Sequence, residues 1–289
     1  MSTRTLCPGQ PGYPPALLDL PDPPLHLYVR GPLDLAAPRV AVVGTRRPSE
    51  RGRGLAERLG EGLARAGVTV VSGGALGIDG AAHRGAVRGG GPTWVVLPSP
   101  LASPAPPSHR GLFEEVLASG GAWLSELSEG EAGLGKRAFF QRNRLVAALA
   151  DVVVAVEAKL QSGTRHTMQA ALQLGRTRAA FPWPAGEVFG AGCVAWLREG
   201  AHRVTGPEEV LPLLGPQRPS PPGPGPAPTD PLLAALLDGP QGADALAARL
   251  GLPVAAVLSR LTLLEITQQV SAHSGGVFCL TGAVAEGRP

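Results

Sequence analysis

Aromatic side chains make up only 4% of this 289-residue chain. Any core must therefore lean on Leu, Val and Ala, within a hydrophobic content of 44% that is ample for one large domain or two modest ones. Cysteine is nearly absent. Cys7, Cys193 and Cys279 stand far apart, and neither a disulfide framework nor a metal motif fits their spacing. They read as buried or incidental thiols of a reducing compartment. No apolar run is long enough to span a membrane. The first thirty residues hold Pro-rich turns where a signal peptide would need an apolar stretch. The expectation is a cytoplasmic protein with no membrane partner. Charged residues are few, at 17%, and the net charge of +3 is small. It is unevenly placed: Arg39 to Gly215 holds 20 Lys or Arg against 15 Asp or Glu, whereas Leu232 to the end holds 3 against 4. Any attraction for a polyanion belongs to the middle of the chain.

What is plentiful is glycine and proline, 40 and 31 residues. Part of the proline lies in one block. Between Pro216 and Pro231, eight of sixteen residues are Pro, a composition that extends and cannot form a core. The chain accordingly divides into an irregular Pro-rich lead-in over 1–38 that packs on the core, a regular domain over 39–215, a linker over 216–231 and a small domain over 232–285. In the regular domain six short apolar runs alternate with amphipathic stretches: "RVAVVG", "VTVVSGG", "TWVVLPS", "AWLSEL", "DVVVAVEA" and "TRAAFPW". Strands apolar on both faces, separated by helices, define a parallel sheet covered on both sides. The fold class is α/β, a Rossmann-like doubly wound sheet. Its ligand crevice lies beyond the carboxyl ends of the strands. Ser49 is placed to cap the first helix, with Leu55, Leu59 and Leu63 on its inner stripe and Gly67 at its end. After the linker, "PLLAALLDG", "GADALAARLG" and "PVAAVLSRLTLLE" read as three helices, and "ITQQVSAHSGGVFCL" as a hairpin with a Gly-Gly turn. Three helices and a wing make a winged-helix domain.

The strand ends carry the polar groups. "GTRRPS" sets Arg46 and Arg47 where a phosphate would meet the next helix. A nicotinamide dinucleotide would call for G-x-G-x-x-G and an acidic residue after the second strand, and both are missing. No cofactor and no metal is expected. An arginine loop suits a phosphodiester, since guanidinium holds two phosphate oxygens at once. "SGGALGIDGAAH" offers Ser72 and a glycine turn around Gly73, with Asp79 and His83 spaced to share a helix face. The glycines permit close approach and free N–H donors, and Asp79 and His83 are expected to support the pocket without doing catalysis. "KRAFFQRNR" gathers Lys136, Arg137, Arg142 and Arg144 around Phe139 and Phe140. Basic groups with an aromatic between them suit single-stranded nucleic acid. Arg142 and Asn143 are expected at the ligand, Phe139 beside them, and Phe140 toward the core. Ser162, Gly163 and Thr164 open a helix at a strand end, a further anion-binding turn.

In order and spacing, "VGTRRPS", "SGGALGIDGAAH", "LSE", "RNRLVAALADVVVAVEA" and "SGTRHTMQAALQLGR" resemble the DNA-processing protein A (DprA/Smf) family across about Tyr13 to Leu214. The tail is similar to that family's winged-helix domain. The resemblance implies a non-enzymatic binder of single-stranded DNA. Such a protein protects incoming strands in natural transformation, helps load the RecA recombinase and dimerises through the Rossmann-like domain. It carries the binding role onto Arg46, Ser72, Gly73, Phe139, Arg142, Asn143 and Ser162. The chain departs from the family pattern at Gly74 and at Phe140, where the family has Pro. Two other functions fit the same elements. A nucleotide or phosphoribosyl hydrolase would need a carboxylate at the pocket, for which Asp79 and Glu126 are the candidates. A transcriptional regulator would use the winged helix, whose net charge of −1 suits duplex DNA poorly.

Overall fold

Valine carries the sheet. In a computed structural model that describes residues 2–131, 136–215, 230–267, 269–273 and 276–280, the six expected runs are all strands. They are β3 (Arg39–Val43), β4 (Thr69–Ser72), β5 (Thr93–Val96), β6 (Ala122–Ser125), β7 (Val152–Ala155) and β8 (Thr177–Ala180). Two more precede them, β1 (Thr3–Leu6) and β2 (Leu27–Arg30), and β9 (His202–Arg203) follows. The sheet runs β1-β2-β6-β5-β4-β3-β7-β8-β9. Neighbours from β6 to β9 pair in parallel, and β2 lies antiparallel to β6 with Tyr28 opposite Ser125. β4, β5, β6 and β7 are buried along their whole length. That is why these strands show no polar alternation.

The connecting helices are α1 (Glu50–Arg65), α2 (Ile78–Arg88), α3 (Arg110–Ala118), α4 (Lys136–Leu149) and α5 (Thr164–Gln173), then α6 (Ala191–Arg198) and the short α7 (Pro207–Val210). Ser49 caps α1 as expected, its hydroxyl oxygen accepting the Gly52 N–H at 3.0 Å. Leu59 and Leu63 are fully buried beneath it, and Leu55 is half-buried. The chain order doubles back between β3 and β7. Their carboxyl ends therefore flank the point where an open parallel sheet leaves a crevice.

The lead-in differs from expectation. It is not irregular throughout, since β1 and β2 extend the sheet. Leu27 and Val29 are fully buried while Tyr28 and Arg30 are half-buried, the two-residue alternation of a strand with one covered face. The prolines on either side masked that pattern in the sequence.

By internal packing the chain forms two units, Met1–Arg4 with Tyr28–Arg218, and Thr5–Leu27 with Pro219–Pro289. Most of the lead-in thus groups with the C-terminal domain. That domain contains α8 (Pro231–Leu236), β10 (Gln241–Gly242), α9 (Ala243–Leu250), α10 (Val254–Ile266), β11 (Val270–His273) and β12 (Val277–Leu280), with strand order β10-β12-β11. Three helices and a hairpin wing match the sequence pattern, around a core of Leu232, Leu236, Leu246, Val257, Leu261 and Leu280. The hairpin's turn residues 274–275 lie outside the described residues, as does the expected linker up to residue 229. Among the described residues no single helix is long and apolar enough to cross a membrane.

Candidate nucleic-acid interface

A cleft of about 1350 Å³ opens at the crevice between β3 and β7. It is built from five segments: the loop after β3, the turn after β4, α4, the loop from β7 into α5, and the turn before α6 that carries Phe189.

The first segment is held from behind by a buried carboxylate. Glu157, just past β7, is fully buried. Its carboxylate accepts the Ser49 N–H at 3.0 and 3.2 Å and the Ser49 hydroxyl at 2.7 Å. Its carbonyl accepts the Thr45 N–H at 2.7 Å, and the Thr45 carbonyl accepts from the Ile78 N–H at 3.1 Å. A negative charge at the first turn of α1 is also where the helix dipole favours it. The loop between these anchors projects Arg46 and Arg47, both exposed. The Arg46 guanidinium stands 4.4 Å from the centroid of the Phe139 ring. Among the described residues it has no ion-pair partner. A guanidinium over a ring face can still turn its in-plane N–H donors to a phosphate.

The glycine turn works differently from expectation. Ser72 does not reach the cleft. It is fully buried, and its hydroxyl donates to the Val42 carbonyl at 2.6 Å, tying β4 to β3. Gly73 does line the cleft, but its groups are engaged. Its carbonyl accepts from Arg142 Nη1, and its backbone hydrogen-bonds Asp79, which also accepts the Ala75 N–H at 3.4 Å. A Cβ at Gly73 would lie 2.1 Å from Arg142 Nη1, so the glycine is there for close approach. The free N–H donor expected at Gly73 thus serves Asp79 instead, as does the Ala75 amide.

Burial pushes the Asp79 carboxyl up from its ordinary value, against the pull of Arg142 and of those two backbone groups. His83 is fully buried one turn further along α2. It meets Thr93 Oγ1 at 2.8 Å through Nδ1, and because the Thr93 hydroxyl donates to the Val70 carbonyl at 2.7 Å, Nδ1 is the donor. Its Nε2 has no partner among the described residues. Burial pulls its pKa down to about 3, which makes it neutral. Asp79 and His83 share a helix but not a partner, and among the described residues no hydrogen bond joins them. Each supports the floor.

Arg142 lies deeper than its helical position implied. It is 4% exposed, and Nη1 donates to the carbonyls of Gly73 and Val96. Burial lowers its pKa to about 10, which leaves it charged at neutral pH. What it lends the cleft is its charge, while Arg46 and Arg47 present donors. Asn143 links α4 to the fourth segment, donating through Nδ2 to the Gly163 carbonyl at 3.3 Å. Ser162, Gly163 and Thr164 line the cleft at the start of α5, and Ser162 Oγ is buried with no partner among the described residues. An unpartnered hydroxyl at a helix N-terminus suits an anion. Lys136 opens α4, but its side chain lies outside what the structure describes. Arg144 and Glu126 pair at 2.7 Å, and neither lines the cleft.

Phe140 contradicts its expected place in the core. It is 47% exposed, lines the cleft and packs edge-on with His166, ring centroids 4.4 Å apart. Sequence reasoning also missed Glu157, Lys159, Arg165 and Phe189. Lys159 follows the fifth apolar run as directly as Ser162 does, so the strand-end rule that found one applies to the other. Glu157, by contrast, ends a valine run that reads as core, and its position there masks its role.

Together these features define a Rossmann-like α/β domain with a cationic, partly aromatic cleft at its topological switch point, in a chain that also carries a winged-helix domain. The chain belongs to the DNA recombination-mediator protein A family, whose model matches residues 4–215, and residues 216–276 match the DprA winged helix domain. It is 44% identical over 195 residues to a putative DNA processing protein DprA of Mycobacterium tuberculosis. That match covers 66% of this chain and 50% of the relative, so the chain spans about half of that relative's length. Protein Smf of Escherichia coli is 37% identical over 277 residues, covering 91% of this chain and 74% of the relative. Among solved structures, Streptococcus pneumoniae DprA superposes with a TM-score of 0.67 at 35% identity, over 73% of this chain and 74% of that one. Helicobacter pylori DNA processing protein A, described as having a unique single-stranded DNA binding mode, gives 0.65 at 30%, over 73% of this chain and 94% of that one.

Proposed function

We propose that the cleft binds single-stranded DNA. In this reading the chain is a recombination mediator of the cytoplasm, a homodimer through its Rossmann-like domain. It shields incoming strands in natural transformation and passes them to the RecA recombinase. One observation carries the DNA reading: an exposed guanidinium over an aromatic ring, Arg46 over Phe139, at a cleft that also holds exposed Arg47, Lys159 and Arg165. Phosphates take the cations, and a base takes the ring. The Helicobacter pylori relative, described as binding single-stranded DNA, supports the same reading. With few base-edge donors committed, recognition is largely independent of sequence.

The hydrolase alternative gains nothing from the geometry, because Asp79 is engaged with the glycine turn and Glu126 with Arg144. A regulator reading duplex DNA through α10 gains no more. The basic residue of that helix, Arg260, is bonded to Asp230 at 2.9 Å, and Val254, Leu258, Leu263 and Ile266 are exposed.

The test is fluorescence anisotropy with single- and double-stranded oligonucleotides of mixed sequence. Preference for single strands, with Arg46→Ala weakening every sequence by a similar factor, is expected. Binding that Arg46→Ala leaves unchanged would place the DNA elsewhere. The RecA step is tested by RecA-catalysed ATP hydrolysis on DNA coated with single-strand-binding protein. The chain should shorten its lag, and an unchanged lag would remove that step.

A further inference from the structure

Aromatic rings are the scarcest material in this chain, and their placement is uneven. Of its 6 Phe, 4 Trp and 2 Tyr, only Phe140 and Phe189 are exposed, each at 47%. Both line the same cleft, as does the half-buried Phe139. Folding gains little from a large ring left half in water, so two such rings in one cleft call for a ligand.

Their surroundings say which kind. Phe140 follows Phe139 on α4 but turns toward α5, where the His166 ring meets it at 4.4 Å and 60°. Phe189 lies in the 3-10 turn Val188–Gly190 that leads into α6, with Lys159 Nζ 4.9 Å from its ring centroid. Each ring of the cleft therefore stands beside a cation or an imidazole: Arg46 at Phe139, His166 at Phe140 and Lys159 at Phe189. A purely apolar partner would gain nothing from Lys159 and Arg46 set against the rings. Flat, uncharged rings strung on a polyanion match both features at once.

We propose that Phe140 and Phe189 are nucleobase-stacking platforms that extend the cleft beyond the Arg46–Phe139 pair, so that consecutive bases of one strand rest on separate rings. The proposal rests on the reading of the cleft as a site for single-stranded DNA. Stacking on a ring face is tolerant of base identity, and the platforms lengthen the site without making it sequence-specific.

The experiment measures the full chain by anisotropy against labelled oligo-dT and against an oligomer of equal length carrying tetrahydrofuran in place of every base. The variants are Phe140→Ala, Phe189→Ala, Phe140→Trp and Phe189→Trp. Each Ala variant should lose on the order of tenfold on oligo-dT and nothing on the abasic strand, with an unchanged salt slope. Each Trp variant should bind oligo-dT at least as tightly as the parent. Ala variants that match the parent on oligo-dT, or that weaken by one common factor on both oligomers, would overturn the platforms and leave the DNA site standing. A parent chain that binds neither oligomer would overturn both.

Discussion

Replacing Glu157 with glutamine should loosen the loop that presents Arg46 while preserving side-chain shape. The carboxylate accepts two hydrogen bonds from Ser49, through its N–H and its hydroxyl, in a fully buried site. Hydrogen bonds to a charged group contribute about 1.5–3 kcal/mol each, and a negative charge at a helix N-terminus about 0.3–1 kcal/mol. Glutamine keeps one acceptor oxygen, and its NH₂ can donate to Ser49 Oγ once the hydroxyl rotates. The loss should therefore be that of one charged bond plus the dipole term, about 2–4 kcal/mol. All four tryptophans, Trp94, Trp123, Trp183 and Trp196, belong to the sheet-bearing unit and are buried. Urea unfolding followed by tryptophan fluorescence therefore reports that unit. Glu157→Gln should lower its midpoint accordingly and weaken oligo-dT binding, although Glu157 does not line the cleft. A stability change under 0.5 kcal/mol, the ordinary scatter of surface substitutions, would refute this role.

Gly52→Ala attacks the same anchor from the other side, since its Cβ would fall 1.8 Å from Glu157 Oε2, and it should destabilise the unit at least as much in the same urea assay. Gly73→Ala would place a Cβ 2.1 Å from Arg142 Nη1. Both stability and oligo-dT affinity should fall, and unchanged values of both would argue against the tight turn. His83 gives a pH signature. Its folded pKa of about 3 lies below the unfolded 6.5, so its contribution is fully present above pH 6.5 and is lost as pH falls toward 3, by about 1.4 kcal/mol per unit. The parent should lose more stability between pH 7 and pH 5 than His83→Gln does, and identical losses in urea would contradict a buried neutral imidazole.

The six central strands were legible because burial on both faces leaves unbroken valine runs, and the crevice followed from their order. β2 was not, because prolines flank a run of only four residues. At the site, residue type and strand-end position identified Arg46, Phe139, Asn143 and Ser162, all of which line the cleft. Depth was not readable. Helical spacing gives Arg142 a face but not the 4% exposure that turns its donors inward. Likewise nothing in "VVSGG" tells whether the Ser72 hydroxyl points at a ligand or across the sheet to Val42. Phe140 was placed inside on hydrophobicity alone, whereas in the structure it faces the cleft and the His166 ring of α5. Glu157 was hidden by its position in a run that reads as core, where a carboxylate is stable only because Ser49 and the start of α1 meet it.

In the proposed complex a phosphate backbone lies against Arg46, Arg47, Lys159 and Arg165. The measurement that tests it most directly is the salt dependence of oligo-dT affinity for the parent and for Arg46→Ala. Four neutralised phosphates on a single strand give a slope of log K against log salt of about −3, and loss of one reduces its magnitude by about 0.7. Both values are expected of a strand held by these four cations. A flat dependence, or a slope identical in parent and variant, would contradict it.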